Sequence, residues 1–139
     1  MDQRLSFVTL AVRDVAASRR FYVDGLGWRP EFEAPGVVMI GVGEHVLLSL
    51  WDETEFAEEV GPVRRGAGVA PVTLAHNVAT REEVDDVLET ARRAGADPVS
   101  VAVEREWGGY SGYFADPDGY RWEIAWNPGP IAERVIPAG

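Results

Sequence analysis

This chain states one pattern twice. Residues 5–12 (Leu-Ser-Phe-Val-Thr-Leu-Ala-Val) are apolar and β-branched, as a buried strand requires. Asp14 then supplies a helix N-cap, a helix is expected through Asp24, and Gly25 and Gly27 end it. Three shorter strands are expected over residues 28–33, 37–42 and 45–51, with Pro35-Gly36 and residues 41–43 as turns. After a break, the order recurs. Residues 71–78 read as a strand, Thr80 opens a helix that Gly95 closes, and three more strands follow, beginning at about residues 99–103. Val8-Thr9-Leu10-Ala11 and Val72-Thr73-Leu74-Ala75 match letter for letter. A repeat of this length predicts two similar βαβββ modules that bury a surface jointly, within one α+β domain. The modules are expected at about residues 5–51 and 71–127, with a tail from 128 to 139. The acidic stretch 52–70 joins them as a linker, or as a lid, with room for a short helix near residues 54–60.

The second module ends in the most informative run. Asp116-Pro117-Asp118-Gly119 is turn chemistry, flanked by aromatic strand formers. In the strand after it, Trp122, Ile124 and Trp126 share one face, and Arg121, Glu123 and Ala125 the other. The first face is a core. The second carries an acid, a base and a small residue, as the floor of a cleft would. Applying the same parity elsewhere adds Phe7 and Thr9, Ser49 and Trp51, and Thr73 and Asn77 to that cleft, together with Tyr113. Trp107 and Tyr110 are expected near its rim, beside Gly108-Gly109. Arg121 is the expected ion-pair partner of Glu123. His76 is expected on the helix-packed face, half-buried, and His45 exposed near a strand start.

Charge narrows the partners. Lys and Arg total 13 against 23 Asp and Glu, a net charge of −10, which argues against nucleic acid. No apolar run approaches the roughly 20 residues of a membrane span, and no signal segment is expected, so no membrane partner follows and the cytoplasm is the default compartment. With no cysteine, there is no thiolate nucleophile or thiolate metal site.

These residues resemble the vicinal oxygen chelate superfamily, the glyoxalase, bleomycin-resistance protein and dioxygenase group. Carrying the resemblance are Asp14 followed by Phe21-Tyr22-Val23-Asp24-Gly25-Leu26-Gly27-Trp28, and Asp116-Pro117-Asp118-Gly119 followed by Glu123. Leu74-Ala75-His76-Asn77-Val78, Trp107-Gly108-Gly109-Tyr110 and Trp126-Asn127-Pro128 further resemble a glyoxalase-like subgroup of unknown substrate. The resemblance implies a curled eight-stranded sheet around a cavity, with helices outside, and a homodimer. In the enzymes of the family it implies a divalent metal, held by His, Gln or Glu from the first strand of each module and Glu from the last. Those positions here are Phe7, Thr73, then Leu47 or Ser49, and Glu123. The letter match would put Thr9 in place of Phe7, on the same face. Glu123 alone keeps a ligating side chain, and a divalent metal needs about three. No metal and no cofactor are therefore expected, with a divalent metal as the alternative.

Two functions follow as expectations. One is a metal-free small-molecule binding protein that sequesters an aromatic or cationic compound, as bleomycin-resistance proteins do. The other is a glyoxalase/lyase- or dioxygenase-like enzyme using Glu123 as its catalytic residue.

Overall fold

In the computed structural model, which describes residues 1–139, the chain divides into two compact units, Met1–Ala67 and Gly68–Gly139. Each holds a four-stranded mixed sheet. The eight expected strands are all present, but they are hydrogen-bonded as two sheets of four rather than as one sheet of eight.

In the first unit, β1 (Phe7–Val12) leads into α1 (Val15–Arg19). Asp14 caps α1 by accepting from the backbone N–H of Ala17. The helix then widens into a π-helical segment, Arg20–Gly25, in which two consecutive residues, Phe21 and Tyr22, are both buried. Their rings meet edge to face at 5.0 Å. Gly27, at φ +77°, ends the segment as expected. β2 (Pro30–Ala34), β3 (Val37–Gly43) and β4 (Val46–Asp52) complete a sheet of order β1-β4-β3-β2, with β1 parallel to β4. The stretch expected as a linker starts with a helix that belongs to this unit. That helix, α2 (Glu53–Glu59), is capped by Asp52 and packs against β4 and β1.

In the second unit, β5 (Thr73–Val78) is followed by α3 (Arg81–Arg93). The capping box is complete. Thr80 accepts from the Glu83 N–H, and the Glu83 carboxylate accepts from the Thr80 N–H. Val84, Leu88 and Ala91 line the buried side of α3. Burying a Val or Leu side chain fully contributes about 1.5–3 kcal/mol. β6 shrinks to Val103–Glu104, because only that much of the expected strand pairs regularly. Val99 makes an isolated bridge to Phe114. β7 (Tyr110–Ala115) and β8 (Arg121–Trp126) form the hairpin around Asp116, whose side chain accepts from the N–H groups of Asp118 and Tyr120. The sheet order is β5-β8-β7-β6, the same arrangement as in the first unit, with β5 parallel to β8. A single helical turn, α4 (Ala132–Val135), lies in the tail. No helix is long and apolar enough to cross a membrane.

The capping box makes the first prediction. Thr80→Ala removes one half of it and should lower stability by about 1 kcal/mol in urea unfolding, while Thr80→Ser should stay near wild type.

Candidate functional site

Helix α3 decides which face of the second sheet is open. Gly112 of β7 lies under Leu88, so close that a Cβ there would come within 2.5 Å of the Leu88 Cδ1. Tyr110, Gly112 and Phe114 therefore face the helix, and Ser111, Tyr113 and Ala115 face away. From β8, Arg121, Glu123 and Ala125 join that face, on which Ser111, Ala115 and Ala125 are buried and Tyr113, Arg121 and Glu123 half-buried. From β5, Thr73, Ala75 and Asn77 join it.

At its centre stand Tyr113 and Glu123, paired across β7 and β8, with Ala75 on the other flank of Glu123. The Tyr113 hydroxyl donates to Glu123 Oε2 at 2.5 Å. That is the short, charge-assisted range for O–H···O⁻. Only Oε2 of Glu123 takes a hydrogen bond from the protein, so Oε1 is left for another donor. Arg105 follows β6 on the same face. Its Nε donates to Ser111 Oγ at 2.8 Å, and Nη2 donates to the Ser111 carbonyl at 3.1 Å. Its guanidinium carbon lies 5.7 Å from the centre of the Tyr113 ring. The Glu123 carboxylate, as acceptor of the phenol's hydrogen bond, raises the Tyr113 pKa above its ordinary value. Partial burial and the carboxylate's charge add to the rise, and the Arg105 charge opposes it.

Several expected site residues fall elsewhere. Arg121 does not pair with Glu123. Successive same-face residues on one strand are spread apart by the extended backbone, and Arg121 donates instead to the Gly119 carbonyl at 3.1 Å. Tyr110 lies on the helix side, where its hydroxyl donates to Asp85 at 2.9 Å. Arg81 lies over both the Tyr110 and Trp126 rings, at 5.6 and 4.7 Å, and pairs with Glu104. Trp107 is 52 % exposed and folds back over Gly109, where any Cβ would run into its ring. The approach that Gly109 permits is thus to Trp107 itself. Thr73 is exposed and Asn77 half-buried. His76 shares the helix side by strand alternation but is exposed rather than half-buried.

Phe7, Thr9, Ser49 and Trp51 belong to the first unit. Phe7 and Thr9 are exposed, and Ser49 is buried. Trp51 is bound by α2: its Nε1 donates to Glu55 Oε2 at 2.8 Å, and Phe56 meets its ring at 5.7 Å. Strand pairing fixes the correspondence between the units. Phe7 pairs with Leu47 and Thr73 with Arg121, so Phe7, not Thr9, corresponds to Thr73. Ser49, not Leu47, then corresponds to Glu123. Met39 stands opposite Ser49 as Tyr113 stands opposite Glu123.

Neither unit's own candidates suit the divalent metal that the resemblance implies. In the first, Phe7 offers no donor atom and Ser49 a neutral hydroxyl; in the second, Thr73 offers a neutral hydroxyl and one Glu123 oxygen already accepts the Tyr113 hydrogen bond. Within neither unit do three or more His, Cys, Asp or Glu side chains converge.

Arg105 and Ser111 are the members of this site that the sequence did not disclose. Arg105 lies just past the strand expected to end at about residue 103, and only the pairing of Val103 with Ser111 reveals which face Arg105 shares.

Residues 4–124 match the family described as the Glyoxalase/Bleomycin resistance protein/Dioxygenase superfamily. Among solved structures, a glyoxalase-related enzyme from Fulvimarina pelagi is 36% identical. The match covers 91% of this chain and 89% of that one, with a TM-score of 0.81. A glyoxalase/bleomycin resistance protein/dioxygenase from Nocardioides is 26% identical over 93% of this chain and 89% of its own, with a TM-score of 0.77. A lactoylglutathione lyase from Agrobacterium tumefaciens shares the fold at 22% identity, covering 91% and 96% of the two chains, with a TM-score of 0.69. No curated protein matches.

The Tyr113–Glu123 bond has a readable signature. Folding holds the Tyr113 proton more tightly than the unfolded chain does. The stability this supplies is complete below the ordinary tyrosine pKa of about 10 and is lost as pH rises through the raised value. In an alkaline titration followed by phenolate absorbance, Tyr113 and Tyr110 should ionise late. Tyr113→Phe should remove part of that late step, and Glu123→Ala should move the Tyr113 component back toward the ordinary range.

Proposed function

Because this chain belongs to the glyoxalase/bleomycin resistance protein/dioxygenase superfamily, we propose that it uses the fold as a small-molecule binding protein that needs no resident divalent metal. Its ligand presents a flat aromatic body and a donor group, ammonium or hydroxyl, to Glu123. The observation that carries this reading is the Tyr113–Glu123 bond. A carboxylate held by a phenol keeps its orientation, and its second oxygen is set to accept from a ligand. The same arrangement uses up a lone pair that a metal would want. A chain of net charge −10 also favours the approach of a cation. Sequestration of this kind, in the manner of the bleomycin-resistance proteins, would confer resistance to a toxic compound. A homodimer working in the cytoplasm completes the proposal, and light scattering on the eluted protein tests the dimer.

A second reading is favoured by the Fulvimarina pelagi relative, which is described as a glyoxalase-related enzyme. In it, Glu123 is the general base of a lyase-, isomerase- or dioxygenase-like reaction, with or without a metal.

One experiment separates them. Protein purified without chelators is analysed for metal, then titrated calorimetrically with a panel of benzylamines and phenols, with and without EDTA. The binding reading expects sub-stoichiometric metal, affinity unchanged by EDTA, and about ten-fold weaker binding in Glu123→Gln. Stoichiometric metal that is lost in Glu123→Ala would instead establish the metalloenzyme.

A further inference from the structure

Arg105 is half-buried, held in place, and without a carboxylate partner. Its hydrogen bonds go only to the hydroxyl and carbonyl of Ser111, and its other neighbour is the Tyr113 ring. Several other arginines of the chain pair with acids, although Arg121 of the same face also donates only to a carbonyl, that of Gly119. Arg19 pairs with Glu33, Arg65 with Glu53, and Arg81 with Glu104. In a chain with 23 acidic residues, acids are not scarce. Glu104 precedes Arg105 directly, yet strand alternation turns it to the opposite face, toward Arg81. Glu123 shares the face with Arg105 but gives its hydrogen bond to Tyr113. Arg105 and Glu123 thus stand on one sheet face with the Tyr113 ring between them, neither neutralising the other, while Arg121 of that face is turned back to the Gly119 carbonyl.

The two bonds to Ser111 fix the plane of the guanidinium and leave Nη1 without a protein partner. A fixed planar fork with open donors matches the paired oxygens of a carboxylate, as it would those of a phosphate. Partial burial strengthens such a contact by lowering the local dielectric.

We propose that Arg105 is the anion-recognition residue of this site, and that the ligand is amphoteric. It carries a carboxylate for Arg105 and an ammonium or hydroxyl donor for Glu123, with its planar body over Tyr113. This rests on the reading of the Glu123 face as a binding site and narrows it. A purely cationic aromatic would satisfy Glu123 and bring nothing to Arg105. An amphoteric one answers both charges, so the spacing of the two groups selects among ligands.

The test uses three probes of one size and shape: 4-(aminomethyl)benzoate, which carries both charges, 4-methylbenzylamine, which carries only the cation, and 4-methylbenzoate, which carries only the anion. Each is titrated calorimetrically into wild type, Arg105→Gln and Glu123→Gln. The amphoteric probe should bind wild type at least about ten-fold more tightly than either single-charge probe. Arg105→Gln should erase its advantage over 4-methylbenzylamine, and Glu123→Gln its advantage over 4-methylbenzoate. Equal binding of 4-methylbenzylamine and the amphoteric probe, with sensitivity to Glu123→Gln alone, would overturn the role of Arg105 and leave the Glu123 site standing. Sensitivity to Arg105→Gln alone would do the reverse. Absence of binding by all three to wild type would overturn both. Arg105 also ties β6 to β7, so circular dichroism checks the variants, and the wild-type comparison of the three probes stands without them.

Discussion

In each unit the first strand lies parallel beside the last, and the rest of the architecture follows from that pairing. Two parallel strands cannot be joined by a tight turn, so the chain must cross over between them. A helix is part of that crossing, α1 and its π-helical extension in one unit and α3 in the other. The helix buries one face of the sheet and thereby defines the other. In the second unit Gly112 lets Leu88 settle onto β7, and strict alternation along β7 and β8 sends Tyr113 and Glu123 to the opposite side. The chemistry of the open face is a by-product of where the core had to be.

On that face the electrostatics are set by what each charge has been paired with. A half-buried carboxylate without a donor is costly, and the phenol of Tyr113 removes most of that cost with one O–H. It does so without cancelling the charge, as an arginine would have done. Arg105 is likewise steadied by neutral groups. The face therefore keeps both signs of charge in fixed positions, which favours recognition over mere stability.

Much of this could be read from the residues. Thr80 and Glu83 form the capping box their spacing implies, and the Asp116 turn and the two faces of β8 are as alternation requires. What escaped was governed by pairing. Arg121 and Glu123 share a face, yet nothing local says that Arg121 will turn back to Gly119. Tyr110 and Tyr113 are three residues apart and so must diverge on a strand, but that parity counts only once the strand is known to run unbroken from Tyr110. Arg105 was hidden because β6 is two residues long, too short to show a period. The short helix expected near residues 54–60 is present, but an acidic composition that also suits a connector hid that it packs onto β4 and β1.

The correspondence of Met39 and Ser49 with Tyr113 and Glu123 constrains how the two halves can have drifted apart. One pair is soft and uncharged, the other a locked acid and phenol, and any route between them passes through a mixed state. A tyrosine facing a serine is easily tolerated, since its hydroxyl can reach water or its neighbour. A glutamate facing a methionine strands a charge against a thioether. The phenol must therefore arrive before the acid and leave after it, so history on this sheet runs more readily in one order than the other.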